Sequence, residues 1–130
     1  MVDHSCEQAQ SAACTHQRGF EVRESWSDGF LVLSVDGDVD MLTAPQLSGA
    51  VCKALEQSPT AIVVDLTEVT FLASIGMSVL VAAHEAATAL SVRLGVVAEG
   101  PTTSRPMRIL GIDAILALHP TLDDAVRSLR

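Results

Sequence analysis

Ser74 stands where an apolar run, Ala61-Ile62-Val63-Val64-Asp65-Leu66, has given way to polar residues and a helical pattern begins. A serine on the first turn of a helix is exposed and lies beside backbone N–H groups that have no partner inside the helix. Two chemistries use such a position. In the first, the hydroxyl is a nucleophile: strand, sharp turn, serine and helix describe the elbow G-x-S-x-G, where a histidine takes the proton and an acid orients the histidine. Here the segment reads Leu72-Ala73-Ser74-Ile75-Gly76, without the first glycine. His84 follows about three helical turns later, ~15 Å along the axis at 1.5 Å per residue, too far to serve. Nothing in the sequence places His119 beside the serine. In the second chemistry, the hydroxyl accepts a phosphate, adding about −1.5 to −2 charge that a helix N-terminus tolerates. A surface that docks flush against a partner then carries an unpaired, desolvated charge, and docking is lost. A serine that simply starts the helix fits the local pattern equally well.

Other candidates for chemistry are weaker. Asp36-Gly37-Asp38-Val39-Asp40 opens like a calcium loop, but the sixth position is Met41 rather than glycine and the twelfth is Leu47 rather than glutamate. His4, Cys6, Cys14 and His16 are zinc-type ligands in the spacing H-x-C-x7-C-x-H, which matches no common finger or knuckle. They fall in residues 1–19, a small, polar, aperiodic stretch that reads as a flexible tail. The chain has no G-x-x-x-x-G-K-[ST], no G-x-G-x-x-G after a strand and no H-E-x-x-H. We therefore expect no enzyme, no cofactor and no metal. The net charge of −8 argues against a nucleic-acid or anionic-membrane surface. No apolar run reaches the length of a membrane span, and the N-terminus lacks a signal-peptide pattern. Cys6, Cys14 and Cys52 make an odd count without framework spacing, which favours a reducing cytoplasm.

The elements that must position Ser74 follow from periodicity. The 130 residues, 48% of them apolar, suit one domain over residues 20–130. Phe20 to Trp26 alternates as a half-exposed strand, Ser27-Asp28-Gly29 is a turn, and Phe30 to Val35 is a more central partner strand. Asp36 to Asp40 reads as a loop into a helix with Thr43 as its N-cap, Pro45 just inside, and Leu47, Ala50, Val51, Ala54 and Leu55 on its buried stripe. Ser58-Pro59 ends that helix. Ala61 to Leu66 is a strand covered on both faces, followed by an exit loop. Ser74 to about Leu90 is a helix burying Ile75, Val79, Ala82, Ala83, Ala86 and Leu90, with His84 solvated. Val92 to Ala98 is a strand. Thr102 or Thr103 caps a short helix through Met107 to Leu110, closed by Gly111. Ile115 to Leu118 is a last extended segment. Thr121 caps a terminal helix from Leu122 to Leu129, with Asp123 and Asp124 where the helix dipole favours them. The order ββαβαβα(β)α makes an α/β fold: a mixed sheet of four to five strands with helices packed mainly on one face.

Two segments resemble a known family. Gly37-Asp38-Val39-Asp40-Met41-Leu42-Thr43-Ala44-Pro45 is similar to G-E-[LV]-D-x-x-[TN]-A-P, with Asp38 for the usual glutamate. Asp65-Leu66 through Phe71-Leu72-Ala73-Ser74-Ile75-Gly76-Met77 is similar to D-L-[ST]-x-[VL]-x-F-[LIM]-D-S-[ST]-G-[LM]. This is the STAS domain of bacterial anti-sigma factor antagonists, and the resemblance covers about residues 20 to 129. It implies a protein that binds an anti-sigma factor, usually a serine kinase of the histidine-kinase-like ATPase type, and so frees a sigma factor for transcription. The kinase phosphorylates a serine at the helix start, here Ser74, and ejects its antagonist; a phosphatase reverses this. The resemblance also implies a partner surface of Asp38, Asp40, Thr43, Ala73, Ser74, Ile75, Gly76 and Met77. Two positions depart from the pattern: Ala73 replaces the aspartate before the serine, and Ile75 replaces the following hydroxyl residue. The alternative is a STAS interaction module without phosphoregulation.

Overall fold

The computed structural model describes residues 19–130. The His4, Cys6, Cys14 and His16 set, and the expected tail except Gly19, lie outside the described residues. Strands β1 (Glu21–Ser27) and β2 (Phe30–Val39) form an antiparallel hairpin. Its turn is Asp28-Gly29, both at positive φ, the two-residue geometry that matches strand twist. β3 (Ala61–Leu72), β4 (Arg93–Val97) and β5 (Ala117–His119) then add in parallel, in the spatial order β1-β2-β3-β4-β5. Parallel neighbours need crossovers. These are α1 (Ala44–Glu56), α2 (Ser74–Ala89), and α3 (Ser104–Ile109) with a 3-10 turn at Ile112–Ala114. Helix α4 (Leu122–Leu129) ends the chain. No helix among the described residues is long and apolar enough to cross a membrane.

Alternation along the strands sorts the core into two layers. Leu31, Leu33 and Val35 of β2, Ile62, Val64 and Leu66 of β3, and Leu94 and Val96 of β4 join Leu47, Val51, Leu80, Ala83, Ala87 and Met107 from α1, α2 and α3. The intervening residues Phe30, Val32, Ala61, Val63 and Val97 pack with Ala125 and Leu129 of α4. Among the described residues, three helices thus share one face and α4 alone covers the other. A sheet buried on both sides needs that cover, because the second apolar row would otherwise face water.

The structure corrects several sequence expectations. β2 continues through the expected loop to Val39, and β3 continues through the expected exit loop to Leu72. The two strands stay paired from Phe30↔Ala61 to Val39↔Leu72, with register shifts on either side of Asp36-Gly37. β4 ends opposite Asp65, so the last turn of β3 has β2 as its neighbour and little else. That leaves Thr67, Glu68, Thr70 and Phe71 exposed although they are strand residues, and makes them read as loop. The last strand is shifted to Ala117–His119, while the short helix runs from Ser104, directly after Thr103, to Ile109. Neither Thr102 nor Thr103 caps it: the Ser104 hydroxyl instead accepts from the Gly100 N–H at 3.0 Å. Thr121 does cap α4, accepting from the Asp124 N–H at 3.1 Å.

Gly37 is the hinge of the irregular ribbon. Its φ is +109°, and a Cβ there would fall 1.7 Å from the Gly19 carbonyl oxygen. Gly37→Ala therefore combines a disfavoured backbone with a backbone clash, and is expected to lower stability by at least about 2 kcal/mol in denaturant unfolding. An unchanged unfolding midpoint would contradict the close approach.

Candidate functional site

The site is assembled where β2 and β3 end and α1 and α2 begin. The Ala73 N–H donates to the Val39 carbonyl at 2.8 Å, tying the start of α2 to the end of β2. Gly76 then lets the first turn of α2 settle on the sheet: a Cβ there would lie 2.6 Å from Val39 Cγ1 and 2.8 Å from Leu72 Cδ1. This seat fixes the rotation of the helix. Gly76, Met77, Leu80, Ala83 and Ala87 are buried, about one position around from the stripe read in the sequence. Ile75 and Leu90, expected inside, are 42% and 60% exposed. His84 is half-buried rather than solvated, with a buried Nδ1 that has no partner.

Ser74 is exposed and occupies the first position of α2. Ala73 is the N-cap residue, with extended dihedrals (φ −79°, ψ 166°) and no side-chain oxygen to accept from the helix N–H groups. The seryl hydroxyl is therefore presented to solvent beside an uncapped helix end, where partial positive charge collects. Among the described residues, His119 does not complete a hydrolytic triad there. The His119 ring lies 3.6 Å from where a Gly95 Cβ would project, on the side of Leu129 and α4, whereas α2 packs on the opposite face of the sheet.

Beside Ser74 runs the β2–α1 connection. Thr43 was expected to cap α1, yet its side chain makes no cap bond. Its hydroxyl donates to the Asp38 carbonyl at 2.7 Å and accepts from the Asp40 N–H at 2.9 Å. Asp40 supplies the turn: its Oδ1 accepts from the N–H groups of Leu42 and Thr43 at 2.9 and 3.1 Å. Asp38 Oδ1 accepts from the Thr70 hydroxyl at 2.6 Å, bracing the loop against β3. Short polar side chains that bond their own backbone in this way favour turns over helix. The tightened loop lifts Met41 and Leu42 into solvent, 81% and 74% exposed. Phe71, which pairs with Asp38 across the ribbon, is 51% exposed.

Of the residues expected at a partner surface, Asp40 is half-buried, and Asp38, Ser74 and Ile75 are exposed with Ala73 half-buried beside them. Thr43, Gly76 and Met77 are buried, so they position the surface rather than form it. Sequence reasoning missed Thr70, Met41, Leu42 and Phe71. The legible signal was the pair Met41-Leu42, two large apolar residues inside a loop between polar turn-formers. Thr70 carried no signal, because its partner is 32 residues away.

Comparison with known proteins places this arrangement. The family model described as the STAS domain matches residues 23–125. The chain is 41% identical over 103 residues to the anti-sigma-F factor antagonist RsfB of Mycobacterium tuberculosis, covering 79% of this chain and 84% of that one. It is also similar to the crystal structure of an anti-sigma factor antagonist from Mycobacterium paratuberculosis, with TM-score 0.81 and 41% identity over 85% of this chain and 94% of that one. The Bacillus cell fate determinant SpoIIAA in its phosphorylated form shares the fold, with TM-score 0.63 and 18% identity over 85% of this chain and 99% of that one.

Two substitutions test the geometry of the helix start. Ala73→Asp gives the N-cap a carboxylate that can accept from the free N–H groups, and is expected to raise stability by about 1 kcal/mol. Gly76→Ala forces the helix away from Val39 and Leu72, at an expected loss of about 1 to 3 kcal/mol. Thermal melts of both variants read the opposite signs; a common sign would disprove the seat described here.

Proposed function

The chain belongs to the STAS domain family, and we propose that it is an anti-sigma factor antagonist whose binding is switched off by phosphorylation at Ser74. In this reading it docks on an anti-sigma factor of the serine-kinase type and frees the sigma factor that the anti-sigma factor had held. It works as a binding protein, without a catalytic residue of its own. The observation that carries the reading is the exposed hydroxyl at the uncapped start of α2, set among exposed apolar side chains. Met41, Leu42, Phe71 and Ile75 supply the apolar area that association needs; Ala73 immediately precedes the switch, and Asp38 and Asp40 belong to the β2–α1 connection whose start is tied to it through Val39. The transfer would form a bond from Ser74 Oγ to the γ-phosphorus of ATP as the β–γ bridging bond breaks; the hydroxyl proton and ADP leave. The added charge of about −1.5 to −2 suits the helix end but not a desolvated contact. A phosphatase would restore the hydroxyl.

Ala73 favours the second reading, a STAS interaction module without phosphoregulation. Where the family pattern has an aspartate next to the serine, this chain offers no carboxylate to orient the hydroxyl or meet a kinase.

Stability and binding are expected to separate at this residue. Ser74→Asp should leave the melting temperature unchanged or slightly raised, because a carboxylate on the first turn suits the dipole. It should weaken binding to the anti-sigma factor by about a hundredfold, whereas Ser74→Ala keeps it. Incubation with that kinase and ATP should add one phosphate at Ser74, read by mass spectrometry. Stable binding with no phosphate gained would favour the second reading, and equal affinities for wild type and Ser74→Asp would refute the switch.

A further inference from the structure

Strand β1 forms one edge of the sheet: among the described residues its only strand neighbour is β2. The two-residue turn makes Ser27 and Phe30 the closing hydrogen-bonded pair, and bonded pairs then recur at every second position. Glu21, Arg23, Ser25 and Ser27 therefore direct their backbone groups to β2, and Val22, Glu24 and Trp26 turn theirs outward. A seven-residue edge paired without a register shift, and free of proline, is a template for another strand.

The side chains select the strand that fits. Glu21 stands opposite Asp36 of β2, and Asp36 opposite Glu68 of β3, so three carboxylates lie abreast on neighbouring strands. Like charges directly opposite one another are unfavourable. The rank is open at Glu21, on the sheet edge, where Arg23 Nη1 lies 3.7 Å from Glu21 Oε1. Both side chains are well exposed, and a surface pair of this kind contributes little by itself. A strand that sets a second cation beyond Glu21 completes the rank, and β1 of a second copy is such a strand. Antiparallel alignment about Arg23 sets that residue against itself, and alignment about Glu24 does the same to Glu24. Alignment about Ser25 leaves Glu21 and Arg23 facing neutral residues. Alignment about Val22 sets Val22 against Val22 and, on either side of it, Glu21 of one copy against Arg23 of the other. The outward backbone groups of Val22 and Glu24 then meet those of Val22 and Phe20 in the second copy.

We infer that β1 is a self-association edge: two copies of this chain pair antiparallel about Val22, joining their five-stranded sheets into one, with reciprocal Glu21–Arg23 ion pairs fixing the register. A charge of −8 on each chain opposes an unspecific meeting of two copies, so complementarity at short range decides the contact. The inference does not draw on the reading of Ser74, and either can fail alone.

Sedimentation of the full chain tests it. Wild type is expected to pass from monomer to dimer between about 10 μM and 1 mM, with an affinity that falls as salt is raised. Glu21→Arg and Arg23→Glu each put like charges face to face and should each weaken dimerisation at least about tenfold, while the double variant returns to within about threefold of wild type. Glu21→Arg discriminates most sharply: it makes the chain less negative, so a general charge effect would strengthen association there. Arg127→Glu, exposed on α4, changes the net charge as Arg23→Glu does and should dimerise as wild type. Glu24→Pro removes an outward N–H and should leave the chain monomeric. Thermal melts within a few degrees of wild type show that each variant folds, and the charge variants at exposed positions decide the matter if Glu24→Pro does not. A monomer at every concentration overturns the inference. So does a dimer that Glu21→Arg or a folded Glu24→Pro leaves intact, that Arg127→Glu weakens as much as Arg23→Glu, or that the double variant fails to restore.

Discussion

One hydrogen bond and one missing side chain hold the functional end of this molecule together. The Ala73 N–H donates to the Val39 carbonyl, and Gly76 sits where any Cβ would collide with Val39 and Leu72. Between them they fix the height and rotation of α2 on the sheet. Everything that Ser74 can do depends on this, because a helix turned by one residue, about 100°, would carry the hydroxyl toward the core and bring Ile75 round with it. The rigid seat also makes a chemical change on Ser74 consequential. A flexible segment could move an added phosphate into water, whereas the first turn of a seated helix holds it in place.

The neighbouring loop is held in another way. Asp38, Asp40, Thr43 and Thr70 exchange hydrogen bonds within a few residues or across the β2–β3 ribbon, and none of these bonds uses an ionic pair. Such bonds are each modest in net stability, but they leave few alternative conformations for the loop. Their effect is to keep Met41 and Leu42 exposed, where hydrophobic collapse would otherwise draw them inward. An apolar prong and a hydroxyl therefore share one end of the domain. That arrangement offers area and a charge-sensitive point, the two things the proposed reversible docking needs.

The charge of the chain fits the same picture. A net −8 is what the sequence carries into any contact. One more phosphate on such a chain alters its total charge little. Under the proposed reading its effect would be local, at the docked contact, as a steric and desolvation switch and not a change in long-range attraction.

The sequence by itself determined the element types and their order. It also determined the two-faced pattern of the strands, the Asp28-Gly29 turn, the Thr121 cap, and the placement of a serine at a helix start; the family resemblance came from the same residues. These depend on period and on local backbone chemistry, which a single stretch of chain expresses without help. Tertiary structure alone decided how far β2 and β3 extend, because their last pairs join residues about thirty apart and a bulge at Gly37 hides the alternation. It decided that Thr43 braces a loop instead of capping a helix, since the acceptor and donor it chose belong to Asp38 and Asp40. It set the rotation of α2 through the close approach at Gly76, against the preference of the bulkier Ile75 and Leu90 for burial. It also placed α4 on the second face, because only the assembled sheet shows which apolar row the other helices leave uncovered.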